Sequence, residues 1–382
     1  MKQKQSVYTS GEGTERSPYH SKDGTAGLAQ RLEAVADRGG RVFLPIGRYE
    51  ITNTVTVDTP CTMLEGEVWN YSADPNGVFE SSYGTKLRMK GRDFPALSVG
   101  RTRVVGGAVI QNIGVQGDLV GMDTRTLYDP LCPSAASGLY FGGSRVDQGE
   151  FSKLSFCGLG VGICADGNSE IDACLFDRFN ADGCCVGVYF APVASYYARF
   201  QRGVVADTPS YGVFVDGGVK KNILELTVED ITLTRNCGSM PQGNDATAAA
   251  VYIRNVTSAN VRGCTIDCAG TFWYFAPNAT QNRQRDTYKS RAVGIRIESD
   301  GCRILDNIVN HSSDASISVK GNGNILNGNI VDGDVVIEGT GNTVSNLIFS
   351  QERAKLILVG CAAESTNVLG IPEERIVRMY SV

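Results

Sequence analysis

The sequence predicts an all-β protein, a single-stranded right-handed parallel β-helix (a solenoid) with a short N-terminal capping helix. Three observations carry that expectation. Four segments, Gly-Leu-Tyr-Phe at 138–141, Gly-Ile-Cys-Ala at 162–165, Gly-Val-Tyr-Phe at 187–190 and Gly-Val-Phe-Val at 212–215, begin 24, 25 and 25 residues apart. Each copy continues through a polar turn to a second apolar pair, such as Phe151/Leu154 or Ile171/Phe176. No copy is long enough to bury a core alone, so the copies must stack. The 45 glycines and the asparagines recurring at turns suit a chain that bends several times per coil. A coil of about 24 residues with three short strands fits one rung of a solenoid whose rungs rise about 4.8 Å. A β-sandwich would show hairpin spacings of about 8 to 12 residues instead.

Taken in order, residues 1–24 are polar and Gly/Ser-rich and read as an irregular arm, and 25–382 as the β-helix. Thr25 to Asp37 places Leu28, Leu32 and Val35 at helical spacing and stops at Gly39-Gly40, a C-terminal signal. Such a helix is suited to covering the open end of a β-helix, where core side chains and strand edges are otherwise exposed. Arg41 to Ile51 and Val55 to Val57 read as strands around a Pro/Gly corner. The run from Leu28 to Tyr49, a helix followed by Gly-Gly-Arg-Val-Phe-Leu-Pro-Ile-Gly-Arg-Tyr, resembles the entry to the pectate-lyase-like β-helix superfamily. Excursions from the coil are expected near 66–103, 118–137, 238–249 and 271–292. Long loops on a rigid scaffold commonly carry binding groups. Trp69 and Tyr71 in the first are satellite-core residues or a sugar-stacking platform. The last combines Phe272-Trp273-Tyr274-Phe275 with Arg283, Arg285 and Arg291, a composition suited to a subunit contact or a carbohydrate lid. The final coils shorten, and their turn asparagines predict side-chain amide ladders.

Composition excludes several classes. A net charge of −5 disfavours a nucleic-acid partner. No stretch reaches the roughly 18 apolar residues of a membrane span, and the first residues lack a signal-peptide pattern, so a cytoplasmic location is expected. The twelve cysteines then read as reduced thiols in small core positions. A zinc site is not expected, since Cys264 and Cys268 lack a second pair and the two histidines, His20 and His311, are far from them in sequence. Gly158 to Gly162 lacks the spacing of a dinucleotide fingerprint, and neither histidine sits in a nucleophile motif. No cofactor and no metal are implied.

Carboxylates remain, in pairs the usual means of splitting a glycosidic bond. The densest acidic patch holds Asp166, Glu170, Asp172, Asp177 and Asp182, with Tyr189, Tyr196, Tyr197, Arg199 and Arg202 on the following coil. Any single member reads equally as a solvated turn residue. Val42 to Tyr49, Ile110 to Asp118, Ser137 to Asn168 and Ile337 to Val344 resemble, in order, the inulin fructotransferases and difructose-anhydride hydrolases of glycoside hydrolase family 91. The resemblance implies a homotrimeric β-helix acting on fructosyl linkages of an oligo- or polysaccharide, with a catalytic Asp just after a strand and a Glu eleven residues on. Asp166 fits the first position and Asp177 the second, with Asp in place of Glu. Anchored on Ile171, the second position would instead be Arg178. Glu170, Asp172, Arg178, Tyr197, Arg199 and Trp273 are the expected substrate-binding residues. The alternatives are a non-catalytic carbohydrate-binding or structural β-helix of the phage tail-fibre type, against which the short pre-helix segment counts, and a polysaccharide lyase.

Overall fold

The computed structural model describes residues 26–69, 84–117, 136–237, 248–273, 287–289 and 291–380. Over these the chain winds as a right-handed parallel β-helix, with strands gathered into a long sheet of 20, a second of 12 and a narrow one of 5. One coil shows the logic. Val161–Ala165 lies in the twelve-stranded sheet, Glu170–Asp172 in the narrow sheet and Leu175–Asp182 in the long sheet. Each pairs in parallel with its counterparts one coil away. The repeat glycines stack as the sequence predicts, because Val161 pairs with both Ser137 and Val186, and Val188 with Val213. A Cβ at Gly162 would stand 2.6 Å from the Gly187 carbonyl oxygen, so only glycine tolerates this approach of backbones.

Inside, alternate residues form the core. Phe151, Phe176 and Phe200 stack on successive coils, with ring centroids 5.2 and 4.4 Å apart, and Phe141 and Phe190 meet them edge-on. Cys174, Cys184, Cys237, Cys264 and Cys302 occupy core positions, and burial pushes the Cys174, Cys264 and Cys302 thiols up to about 12. The expected asparagine ladders are present. Asn307 receives the Cys264 N–H on its Oδ1 and donates from its Nδ2 to Val261 O and to Asn329 Oδ1, and Asn324 and Asn342 link the adjacent coils likewise.

Each coil turns its corners with residues at positive φ, and these stack in columns. One column runs Gly107, Gln148, Ala173, Tyr197, Glu225, between the narrow and long sheets. A second bends the long sheet itself at Asn112, Lys153, Arg178, Arg202 and Asp230. The third ends that sheet at Gly158, Gly183, Asp207, Arg235, Cys268 and His311. Lys, Arg and Tyr are unusual in left-handed backbone, and the register of the coil imposes it on them.

The capping helix α1 spans Ala26–Glu33, shorter than the expected Thr25–Asp37. Its end tightens into i→i−3 bonds, Val35 N–H to Leu32 O and Ala36 N–H to Glu33 O. The chain must there reach Gly39 at φ +69°, where a Cβ would lie 2.7 Å from the Pro60 and Cys61 carbonyl oxygens. Leu28 and Leu32 are buried in the common core, and α1 packs on Val55–Val57. The excursion expected over 66–103 is corrected: Thr85–Met89 pairs with Gly47–Ile51, and Leu97–Val99 with Val55–Val57, so regular coil resumes at Thr85. Its signal was masked because Lys86 and Arg88 alternate outward between buried Thr85, Leu87 and Met89. In the 271–292 excursion, Thr271–Trp273 and Thr287–Lys289 form a two-stranded antiparallel ribbon. The arm 1–24, Tyr71, Arg283 and Arg285, and most of the excursions at 118–137 and 238–249, lie outside the described residues. Among the described residues no helix is long and apolar enough to cross a membrane.

Asn307→Ala leaves buried donors and acceptors on two neighbouring coils without partners, and is expected to lower stability by about 2–3 kcal/mol. The exposed Asn367→Ala should stay within about 0.5 kcal/mol. Urea denaturation midpoints at unchanged m-value check both.

Candidate active site

The residues expected to form one site are spread over three faces of the coil. Asp166 follows the strand Val161–Ala165, at the corner leading to the narrow sheet. It accepts a hydrogen bond from Tyr140 Oη at 2.5 Å and one from the Asn168 N–H at 3.1 Å. Glu170 is exposed at the start of the narrow-sheet strand, and Asp172 at its end pairs with Arg145 at 3.0 Å. Burial raises the Asp172 carboxyl above its usual range despite that arginine.

Asp177 lies on the long sheet, beyond the full width of the narrow sheet from Asp166. Its carboxylate is 3% exposed and receives Arg202 through two nitrogens at 2.7 Å, Arg178 at 2.9 Å and Gln201 at 3.1 Å. Burial alone would raise its pKa, but the hydrogen bonds from Arg202, Gln201 and Arg178 outweigh it and hold the group below the usual carboxylate range. A carboxylate held ionised by two arginines is a poor proton donor. The structure therefore does not bring Asp166 and Asp177 together as an acid/base pair. Arg178 and Arg199 are engaged likewise, Arg178 with Asp177 and Arg199 with Glu229 at 3.2 Å. Tyr197 is a corner residue at φ +59°, 62% exposed, and the Trp273 side chain lies outside the described residues.

What does assemble beside Asp166 is an aromatic strip on the outer face of the twelve-stranded sheet. The central residues of the Gly repeat stack there: Tyr140, Cys164, Tyr189, Phe214 and, on the next coil, Tyr252. Tyr189 and Phe214 are stacked at 5.2 Å, and Phe214 meets Tyr252 edge-on at 5.5 Å. Tyr211 packs against Phe214 at 4.9 Å. Arg254 lies over the Phe214 and Tyr252 rings, and Arg296 over Tyr252, at 5.1 to 5.7 Å.

Along the edge of this strip the register sets a column two positions further on, polar but for Ala191: Asp166, Ala191, Asp216, Arg254, Glu298. Asp216 accepts from Arg254 Nε and Asn255 Nδ2, each at 2.9 Å. Glu298 accepts from Tyr252 Oη at 2.6 Å and from Arg296 at 2.8 Å. Burial pushes the Tyr252 hydroxyl up to about 12, assisted by Glu298. Burial also raises Tyr189, and neighbouring Cys164, Asp216 and Asp166 add to the effect, since its coil lies between those of the two aspartates. The signal for this strip was in the repeat itself. Strand alternation puts Leu139 and Phe141 inward and the intervening Tyr140 outward, although the run reads as uniformly apolar.

No protein-family model matches the sequence, and no curated protein is significantly similar to it. Among solved structures the chain is similar to DFA-IIIase from Arthrobacter chlorophenolicus A6 in complex with GF2, at TM-score 0.61 and 14% identity over 94% of each chain. The same enzyme without its lid gives TM-score 0.62 and 13% identity over 97% of this chain and 98% of that one. ORF18 of Geobacillus virus E2 is also similar, at TM-score 0.50 and 14% identity, covering 97% of this chain and 57% of that one. The chain thus shares the β-helix fold of DFA-IIIase.

Asp177→Asn is expected to lower stability at pH 7 by about 1–2 kcal/mol, the half-exposed arginines limiting the effect. Because the folded-state pKa of Asp177 is depressed, its contribution is complete above the ordinary Asp value of about 3.9 and is lost as pH falls through the lower folded value. Denaturation midpoints of wild type and variant should therefore differ at pH 7 and converge in strong acid.

Proposed function

We propose that the protein is a carbohydrate-active enzyme that cleaves fructosyl linkages on the outer face of the twelve-stranded sheet. The observation that carries this reading is the aromatic strip, whose half-buried Tyr140 and Tyr189 are the rings open to a sugar and whose Phe214 and Tyr252 are buried behind them, bordered on one edge by Asp166, Asp216 and Glu298. Flat rings bind the apolar faces of sugar rings, while carboxylates and arginines at their margin bind hydroxyls. The DFA-IIIase fold supports the choice of fructosyl substrates.

In this reading Asp166 protonates the glycosidic oxygen as the bond from the anomeric carbon to that oxygen breaks. Tyr140, bonded to Asp166 Oδ2, fixes the orientation of its carboxyl. The nucleophile is water or a hydroxyl of the neighbouring fructose, and its proton passes to the second carboxylate. Asp216 takes that role here in place of Asp177, because it shares the edge of the strip with Asp166. It stands two coils further on, about 9–10 Å at the rise of stacked parallel strands. At the level of the backbone that matches or slightly exceeds the widest carboxyl separation of inverting pairs, about 9.5 Å, and leaves room for an attacking hydroxyl. Ala191 occupies the coil between them with only a methyl side chain. Attack by a hydroxyl of the same substrate benefits from proximity. The homotrimer implied by the family resemblance belongs to the same proposal, and light scattering tests it.

A second reading, a β-helix that binds glycan without cleaving it, draws on the viral relative in fold. Incubation with a panel of fructans, difructose anhydrides and pectins, followed by product analysis, separates the two. Turnover of a fructosyl substrate supports the enzyme, and binding without products supports the second reading. With a substrate in hand, Asp166→Asn is expected to lose at least about a hundredfold in kcat with Tm unchanged. Tyr189→Ala should raise KM roughly tenfold with a smaller effect on kcat. Full activity of Asp166→Asn would remove that residue from the chemistry.

A further inference from the structure

Three side chains able to bind a transition metal meet at the corner where the long sheet ends. Asp267 closes the strand Thr265–Asp267, and Cys268 follows it at φ +58°. The strand Ile308–Asn310 pairs with it, Thr265 opposite Ile308 and Asp267 opposite Asn310, so His311, at φ +54°, stands over Cys268 on the next coil. The Cys268 N–H donates to Asn310 O at 3.1 Å, which fixes the two corners against each other. Residues 43 positions apart are thus made neighbours, which is why sequence spacing gave no hint of a site.

One ligand atom each from Asp267, Cys268 and His311 lies within 4.8 Å of the other two, and His311 Nδ1 is 2.8 Å from Asp267 Oδ1. The spread is that of atoms which contract modestly onto one ion with bonds of about 2.0–2.3 Å. A second observation concerns the column these residues occupy. On earlier coils the same corner holds Gly158 and Gly183, then Asp207 and Arg235, which form a two-pronged ion pair at 2.6 and 2.7 Å. The register imposes positive φ on every member of this column, so Cys268 and His311 differ from the earlier corners only in their side chains. Asp332 accepts the His311 backbone N–H at 2.7 Å, which fixes the segment that presents the imidazole.

We propose that Asp267, Cys268 and His311 form a binding site for a divalent transition metal of borderline softness, zinc above all, with solvent completing its tetrahedron. Thiolate, imidazole and carboxylate are the donor types that zinc accepts, and a hard ion such as magnesium would not take the sulfur. His311 and Asp267 are 70% and 44% exposed, so an ion reaches them without unfolding. Once bound, it clips two successive coils together. The site is independent of the glycosidic reading.

The test uses the reduced full-length chain and cobalt(II) as a spectroscopic substitute for zinc. One equivalent is expected to give a thiolate-to-cobalt charge-transfer band and the intense visible bands of a tetrahedral ion, both abolished by added zinc. Cys268→Ser should remove the charge-transfer band, and His311→Gln should weaken binding at least about tenfold. Zinc should raise the Tm of the wild type and of neither variant, while the metal-free proteins melt alike. Absence of a thiolate band would overturn the proposal. So would a band of equal strength and affinity in both variants, which would assign the ion to other thiols such as the exposed Cys61 or Cys361. Should Cys268→Ser fail to fold, the outcome rests on His311→Gln, whose side chain is largely in solvent.

Discussion

The structure depends on one constraint, that every residue of a coil lies over its counterpart in the coils above and below. Parallel pairing transmits the backbone conformation of one rung to the next, so a corner that takes positive φ takes it over several successive rungs. This explains why Arg178 and Arg202 adopt left-handed backbone although neither favours it. It also explains why isolated features, an asparagine or a phenylalanine, become ladders whose members share hydrogen bonds or stack. The energetic unit is the column, and a side chain's fate is decided by what stands one coil away.

Seen this way, the division of labour between faces is physical. The outer face of the long sheet collects opposite charges in adjacent coils, Asp177 with Arg202 and Glu229 with Arg199 and Arg262, and these neutralise one another. The outer face of the twelve-stranded sheet collects rings instead, with their arginines stacked above them. The first arrangement commits Asp177 and Glu229 to arginines. The second leaves Asp166 held by one phenol and one backbone amide at the margin of a flat apolar surface.

What was legible in the sequence follows from the same constraint. The glycine repeat was, because close backbone approach at Gly162 and Gly187 admits nothing larger and so marks the period directly. The capping helix was, through Leu28 and Leu32, but not its early end, which is set by the Pro60 and Cys61 carbonyls that crowd Gly39. Asp166 was found as a residue following a strand. The burial of Asp177 was not, since the residue that captures it, Arg202, lies 25 positions on and is its neighbour only once the register is known. Tyr140 and Tyr189 were in view as members of an apolar run, and only strand alternation separates them from the core residues beside them.

The coils do not keep one size. From Gly187 to Gly212 a turn takes 25 residues, and from Ile317 to Val335 it takes 18. At about 3.3 Å per residue the contour of chain around the axis falls from roughly 80 Å to roughly 60 Å. The tube is therefore narrowest there, before the coils lengthen again to 21 and 20 residues from Val335 to Leu356 to Ile376, and its interior changes from a stack of phenylalanines to one of isoleucine, valine and leucine, such as Ile317, Leu326 and Val335. A tube of unequal girth has no interchangeable parts along its whole length. Duplicating a coil between Gly138 and Gly212 places equal perimeters in contact, whereas the same coil grafted beyond Ile317 overhangs its neighbours and leaves strand edges and apolar side chains uncovered. Growth of this architecture by repetition is thus confined to its wide half.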